Sequence, residues 1–243
     1  MSIKFRFWFG LWGVTAMLAW APAVSAVEAG KVLARVGQVT ATQPGAQMRP
    51  LDVGSAVLGG DLIRTASQAS VQIRYTDGAL VSLNANSLYR VDDYAYAPGE
   101  RGFFSLLKGG LRTLTGLIGK GEPAAYRVNT PVATIGIRGT DYALRLCLDD
   151  CPSEFENGLY LSVFEGAIVT VNDVGEYLLK AGESAFIPAA GQPLQRRDDP
   201  VIGFGDLMPW HGAGGGGPII TLDEIGAGPV LEFHATDLVR CTP

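Results

Sequence analysis

The side chains that could perform catalysis are few in this sequence of 243 residues. General acid–base and nucleophilic catalysis need a histidine, or closely held carboxylates, beside a nucleophile. The only histidines are His211, in a glycine-rich stretch, and His234, near the C-terminus. Both positions are typical of ordinary surface or partly buried residues, and carboxylates on strands cannot be paired from spacing alone. The sequence therefore predicts no catalytic residues and no cofactor, so we expect a protein that is not an enzyme.

Three cysteines form the second set of reactive side chains: Cys147, Cys151 and Cys241. In an oxidising compartment, a Cys147–Cys151 disulfide would close a short loop and fix the local turn. Free thiols are the alternative. Two thiolates that lack two further clustered ligands make a poor metal site, so no metal is predicted. Cys241 would then be a free thiol, a link to another chain, or part of a different pairing.

Arg138 is the candidate for ligand or partner recognition. It lies in residues 128–146, VNTPVATIGIRGTDYALRL, where an apolar strand pattern is interrupted at Pro131 and again at Arg138-Gly139. Proline belongs at a strand start or an edge, and Gly139 permits a bulge. The guanidinium could bind a carboxylate or a partner protein. A charge in an apolar run is usually paired, which favours a role in locking strand order. The acids that could pair with it are Asp61, Asp77 and Asp141.

The elements that must position these side chains are strands. Glycine is abundant, and short alternating runs are separated by Gly, Pro, Asn and Asp, as is typical of an all-β fold. Residues 70–83 form the clearest hairpin, with Asp77-Gly78 at its turn. Each of three further runs places a glycine between two apolar segments: LARVGQVTAT at residues 33–42, FSLLKGGLRTL at 104–114, and LSVFEGAIVTV at 161–171. These units predict a compact β-solenoid-like or jelly-roll-like sandwich of short strands.

Tyrosines near one predicted strand offer a second binding surface. A strand is expected over residues 88–94, followed by Ala97-Pro98-Gly99. Tyr89, Tyr94 and Tyr96 could form an aromatic platform for a ligand, but the alternation in this strand is equally compatible with core or edge packing.

Both ends of the chain differ in composition from its middle. Residues 1–26 read as a signal peptide, because a basic start precedes an apolar run and small residues end it, which makes Val27 the expected mature start. An uncleaved anchor helix is the alternative. We expect a β domain over 27–190, a linker over 191–218 that contains four consecutive glycines, and a C-terminal extension over 219–243. The predicted location is the bacterial periplasm or the exterior.

Charge limits the classes of partner. Loss of the signal peptide removes Lys4 and Arg6, so the formal net charge moves from −5 to −7. A mildly acidic surface without a basic stripe argues against a nucleic-acid partner. No later stretch is long and apolar enough to span a bilayer, so no transmembrane segment is expected after cleavage.

The order of several short motifs resembles that of the FecR-like domain family, over about residues 60–188 of this chain. The pieces are Gly60-Asp61-Leu62-Ile63-Arg64-Thr65, Asp77-Gly78, Phe104 to Leu111, Arg138-Gly139-Thr140, Val163-Phe164-Glu165-Gly166, and Leu179-x-x-Gly182-Glu183. The motif residues that we single out are Asp61, Asp77, Gly78, Arg138, Gly139, Thr140, Glu165 and Gly166. We interpret them as structural residues, with ligand contact as the alternative reading.

The resemblance also implies a function. Well-known members of that family are inner-membrane signal transducers that join a cytoplasmic anti-sigma helix bundle, by one membrane span, to this β module in the periplasm. Other members are stand-alone exported proteins. The leading signal peptide makes this chain similar to the second group. We therefore expect a binding or interaction module for an envelope protein or a cell-surface glycan. The alternative is an accessory component of envelope-to-cytoplasm signalling that works with a separate membrane protein.

Overall fold

The computed structural model describes residues 26–96, 100–120, 122–153 and 155–198. Within these ranges the chain forms β-strands and one short 3₁₀ helix, Pro123–Ala125, and no α-helix. The expected all-β fold class is confirmed. The strands are β1 Glu28–Val36, β2 Val39–Thr42, β3 Arg49–Pro50, β4 Ala56–Leu58, β5 Leu62–Thr65, β6 Ser70–Tyr75, β7 Leu80–Leu83, β8 Leu88–Ala95, β9 Arg101–Leu114, β10 Tyr126–Asn129, β11 Thr134–Cys147, β12 Gly158–Asn172, β13 Gly175–Lys180, β14 Ser184–Ile187 and β15 Gln195–Arg197.

Three strands are much longer than the sequence pattern predicts, because a glycine bends each of them without ending it. β9 and β11 each have 14 residues and β12 has 15. The bending glycines are Gly109, Gly139 and Gly166, and each has a positive φ, of 81°, 58° and 72°. A positive φ costs glycine little and other residues more. Two of the strand–Gly–strand runs are therefore single bent strands, and only the first, at Gly37, is two strands.

The long strands pass between two layers of one continuous sheet. The first half of β9 pairs with β8 and β10, whereas its second half pairs with β7 and β11. β12 likewise pairs with β13 beyond its bend and with β14 before it. The first layer runs β3-β2-β5-β8-β9-β10-β11-β12-β13, and the second runs β4-β1-β6-β7-β9-β11-β12-β14-β15.

Tyrosine hydroxyls join the two layers across the core. Tyr75 in β6 bonds Tyr89 in β8 at 3.1 Å, and Tyr126 in β10 bonds Tyr142 in β11 at 2.9 Å. Phe104 packs against Tyr75 with ring centroids 5.3 Å apart. One hydrophobic cluster therefore fills the space between the layers. Strands that alternate inward apolar and outward polar residues, such as β6, produce this packing.

The structure differs from two of the sequence predictions. Pro131 is not at a strand start, because it lies in the turn between β10 and β11, where Thr130 Oγ1 accepts from the Ala133 amide at 3.0 Å. A short strand, β15, lies inside the stretch expected to be a linker from residue 191, and it pairs with β14. All three of its residues are exposed, so it carries no apolar pattern that could reveal it.

Several expectations concern residues outside the described ranges. These are the signal peptide before residue 26, residues 97–99, the histidines His211 and His234, Cys241, and the C-terminal extension over 219–243. Among the residues that the structure does describe, no helix is long and apolar enough to cross a membrane.

Candidate functional site

The signature residues Arg138-Gly139-Thr140 and Glu165-Gly166 meet at the paired bend of β11 and β12. The pairing register shifts between Arg138 and Asp141, which marks a bulge at Gly139. A Cβ atom on Gly166 would collide with the carbonyl oxygen of Gly139 and would lie 3.1 Å from that of Arg138. Nothing lies within 4 Å of a Cβ on Gly139. The two glycines therefore allow two backbones to cross closely at one point.

Thr140 attaches this bend to the end of β9. Its amide donates to Thr115 Oγ1 at 2.9 Å, and its carbonyl oxygen accepts from the Thr115 amide at 3.0 Å. Thr140 itself is buried. These bonds hold the backbone of Thr140, whereas its buried hydroxyl has no hydrogen-bond partner among the described residues.

Arg138 does not have the partner expected for it. Its side chain is exposed, and among the described residues it forms no ion pair, since the three acids have other partners. Asp61 pairs with Arg49, Asp141 pairs with Arg112, and Asp77 accepts from backbone amides. The interpretation that Arg138 locks strand order is therefore wrong. Arg138 points outward because it continues the alternation in which Ile135 and Ile137 are buried, so its charge needs no partner within the domain.

A guanidinium–aromatic stack lies at the same bend of β11 and β12, and it was not predicted from the sequence. Arg112 donates from Nε and Nη2 to the two oxygens of Asp141 at 2.9 and 2.6 Å. The same guanidinium lies 4.1 Å from the centroid of the Phe164 ring, a cation–π arrangement. Asp141 faces Glu165 across the strand pair. Only the Val163-Phe164-Glu165-Gly166 motif pointed here, and strand spacing gave no signal for Arg112.

We call this area the bend surface, and define it as Arg112, Arg138, Asp141, Phe164 and Glu165. Arg138, Phe164 and Glu165 are exposed, and Phe164 presents 38% of its area to solvent. Two hydrogen bonds fix the Arg112–Asp141 pair within this surface. Its chemistry suits recognition of a carboxylate and an apolar group.

Asp77 is a structural residue near the bend, and it is buried. Its carboxylate accepts from the amides of Ala79 and Ile118, each at 3.2 Å, and from the Tyr94 hydroxyl at 3.2 Å. Gly78 takes the positive φ of 88° that the hairpin turn requires. The segment after β9 thus contacts both Asp77 and, through Thr115, the bend.

Asp61 lies apart from the bend surface and closes the turn before β5. Its side chain is fully buried, pairs with Arg49, and accepts from the Leu58 amide at 2.8 Å. The motif residues therefore do not gather into one site. Five meet at the bend, two form the β6–β7 turn, and Asp61 stands alone.

The tyrosine platform is not formed. Tyr89 and Tyr94 are buried in the core, and only Tyr96 is exposed. In a regular strand, Tyr94 would point to the face opposite the buried Val91, three residues earlier. The register shift between Val91 and Asp93 turns Tyr94 inward instead. Burial raises the pKa of Tyr94 and of Tyr126 from the ordinary 10.0 to about 12.

These buried phenols predict alkaline unfolding. Between pH 10 and 12 the unfolded chain loses phenolic protons that the folded chain keeps, so the free energy of unfolding must fall as pH rises through this range. We expect phenolate absorbance of the buried tyrosines to rise together with loss of the circular dichroism signal. Their ionisation well before unfolding would contradict this burial.

The disulfide joins Cys147, the last residue of β11, to Cys151 in the following loop. This loop lies over the outer face of β11, β12 and β14. A second, smaller apolar cluster forms beneath it from Ala143, Cys147, Tyr160 and Phe186, with Cys151 and Phe155 at its rim.

Groups for catalysis are scarce in the described part of the chain. It contains no histidine, and no three metal-ligating side chains gather in it. The buried carboxylates of Asp61 and Asp77 are held by structural hydrogen bonds. The bend surface offers charge and an aromatic face, but among the described residues it supplies no nucleophile paired with a base.

Comparison with known proteins agrees with the motifs. Residues 61–169 match the family model described as FecR protein. No curated protein matches the chain. Two crystal structures of a candidate anti-sigma factor from Parabacteroides distasonis, at 1.65 and 2.50 Å resolution, are similar at 18% identity and a TM-score of 0.45. Each similarity covers 56% of this chain and 58% of the other, so the chain spans little more than half the length of those structures.

The matched residues begin at Asp61 and end in β12, three residues beyond the bending Gly166. They include all eight motif residues that the sequence singled out. Residues 61–169 of this chain form a FecR-like domain.

Proposed function

We propose that the chain is an exported, non-enzymatic interaction module of the bacterial envelope, and that its bend surface binds another envelope protein. The observation that carries this proposal is the exposure of Arg138. This signature residue forms no ion pair within the described structure, and the fold does not need its charge. The neighbouring Arg112–Asp141 pair and Phe164 supply an ordered polar and aromatic rim, which is a composition favoured at interfaces.

Two further features support export and a role in signalling. The Cys147–Cys151 disulfide suits an oxidising compartment such as the periplasm, and the first 26 residues read as a signal peptide. The FecR-like domain supports participation in envelope-to-cytoplasm signalling together with a separate membrane protein. We expect the secreted protein to have the mass of a chain that starts at Val27.

The test uses a strain that lacks the protein and is complemented with the full chain. We expect Arg138→Glu to reduce the transcriptional response to envelope stimuli to the level of the deletion strain, because charge reversal repels the partner's carboxylate. Arg64→Glu is the matched control, since Arg64 is also an exposed motif arginine but lies in β5. A normal response with Arg138→Glu, at normal protein level, would refute the proposal. A cell-wall defect without a transcriptional change would show a glycan-binding protein instead.

A further inference from the structure

The two sulfur atoms of the disulfide differ in access. Cys147 is completely buried under the loop, whereas Cys151 is partly exposed at its rim. Thiol–disulfide exchange requires the incoming sulfur to approach along the bond that breaks. An external thiolate or disulfide can therefore meet Cys151 in the folded protein, and it cannot meet Cys147.

A partly buried charge cluster lies beside Cys151. Arg145 donates from Nε to the Cys151 sulfur at 3.3 Å. Its guanidinium lies 3.9 Å from Asp150 Oδ2, and the Lys108 ammonium lies 4.0 Å from the same oxygen. That oxygen is buried and has no hydrogen-bond partner among the described residues. Burial lowers the pKa of Arg145, and Asp150 opposes that shift, yet an arginine keeps its proton in proteins.

This cluster gives the two cysteines different chemistry when the bond is open. A guanidinium at 3.3 Å stabilises negative charge on the Cys151 sulfur. Cys147 lies instead among Ala143, Tyr160 and Phe186, where an uncompensated thiolate is disfavoured. The exposure of Cys151 and the guanidinium beside it both favour reaction at the Cys151 sulfur.

We propose that Cys151 is the exchange cysteine of this chain, the one that forms a mixed disulfide with an external disulfide oxidant or a thiol reductant. In oxidation the Cys151 thiolate attacks the oxidant, forms a bond to one of its sulfurs, and releases the other as a thiolate. Cys147 then loses its proton to solvent and attacks Cys151, which releases the second oxidant thiolate. Two electrons pass from the cysteine pair to the oxidant, and two oxidant thiols result. Reduction follows the same steps in reverse through the same intermediate.

The test measures glutathione addition to the reduced full chain in a Cys241→Ser background. Cys147→Ser leaves only Cys151, and Cys151→Ser leaves only Cys147. On reaction with glutathione disulfide at neutral pH, we expect Cys151 to form the adduct at least about tenfold faster than Cys147. In denaturant, Cys151 and Cys147 should react at similar rates, because the difference between their rates comes from the folded structure. Arg145→Met should slow the Cys151 reaction roughly three- to tenfold, and Arg145→Lys should restore most of the rate.

A second measurement does not depend on the single-cysteine variants. Acid quenching of the Cys241→Ser chain during oxidation, followed by peptide mapping, should locate transient glutathione on Cys151. Arg127→Met, which removes an arginine stacked 3.8 Å from the remote Phe103 ring, is the control for altered charge. Adduct on Cys147 at an equal rate in the folded protein, or an unchanged Cys151 rate in Arg145→Met, would overturn the proposal.

Discussion

Gly166→Ala is expected to destabilise the domain by about 3 kcal/mol or more. A positive φ costs an alanine roughly 1 kcal/mol, and forced overpacking adds about 1–3 kcal/mol. The overpacking is severe here, because the new methyl group would collide with the backbone of Gly139, which cannot rotate away as a side chain could. Equilibrium unfolding in urea, followed by circular dichroism, measures the loss.

Gly139→Ala is the matched control for this prediction. Its φ of 58° is also positive, but a Cβ there meets nothing within 4 Å. We therefore expect a loss of only about 1 kcal/mol from backbone strain. Equal losses for the two variants would show that the close crossing of β11 and β12 is not what requires glycine at residue 166.

Arg49→Met should cost roughly 3 kcal/mol, because it leaves a buried carboxylate without its cation. Asp61 is fully buried, and one of its oxygens already lacks a hydrogen-bond partner within the described structure. The double variant Arg49→Met/Asp61→Asn removes the orphaned charge and should recover at least half of that loss. Thermal and urea unfolding of the unchanged protein, of Arg49→Met, of Asp61→Asn and of the double variant provides a double-mutant cycle.

The control for the second prediction is Arg35→Met. Arg35 pairs with Asp52 at 2.5 Å, but both side chains are exposed. A surface ion pair contributes up to about 1 kcal/mol. If Arg49→Met were no more costly than Arg35→Met, Asp61 would not depend on its partner, and its place in the opening motif would need another explanation.

The sequence predicted correctly those strands that local alternation of apolar and polar residues is sufficient to identify. The 70–83 hairpin and the bulge at Gly139 follow from local pattern, since alternation and glycine report on the backbone directly. Local pattern could not show that Gly109, Gly139 and Gly166 bend strands without ending them. A strand continues through its bending glycine because its two halves pair with different strands, which are distant in sequence and lie in different layers.

The site was predicted only in part, for a related reason. The motif residues around the bend were identified, but the partner of Arg138 was assigned from the general rule that charges in apolar runs are paired. That rule failed because Arg138 lies on the outer face of β11, where it alternates with the buried Ile135 and Ile137. Arg112 could not be predicted, because its contacts with Asp141 and Phe164 depend on strand register rather than on spacing along the chain.

Whether the bend surface contacts a partner can be measured directly by crosslinking in living cells. A photoreactive amino acid is placed at position 138 or 165 of the full chain, and at position 64 as the control. We expect positions 138 and 165 to crosslink the same envelope protein, and position 64 not to crosslink it. Equal crosslinking from all three positions, or crosslinking from position 64 alone, would contradict this expectation.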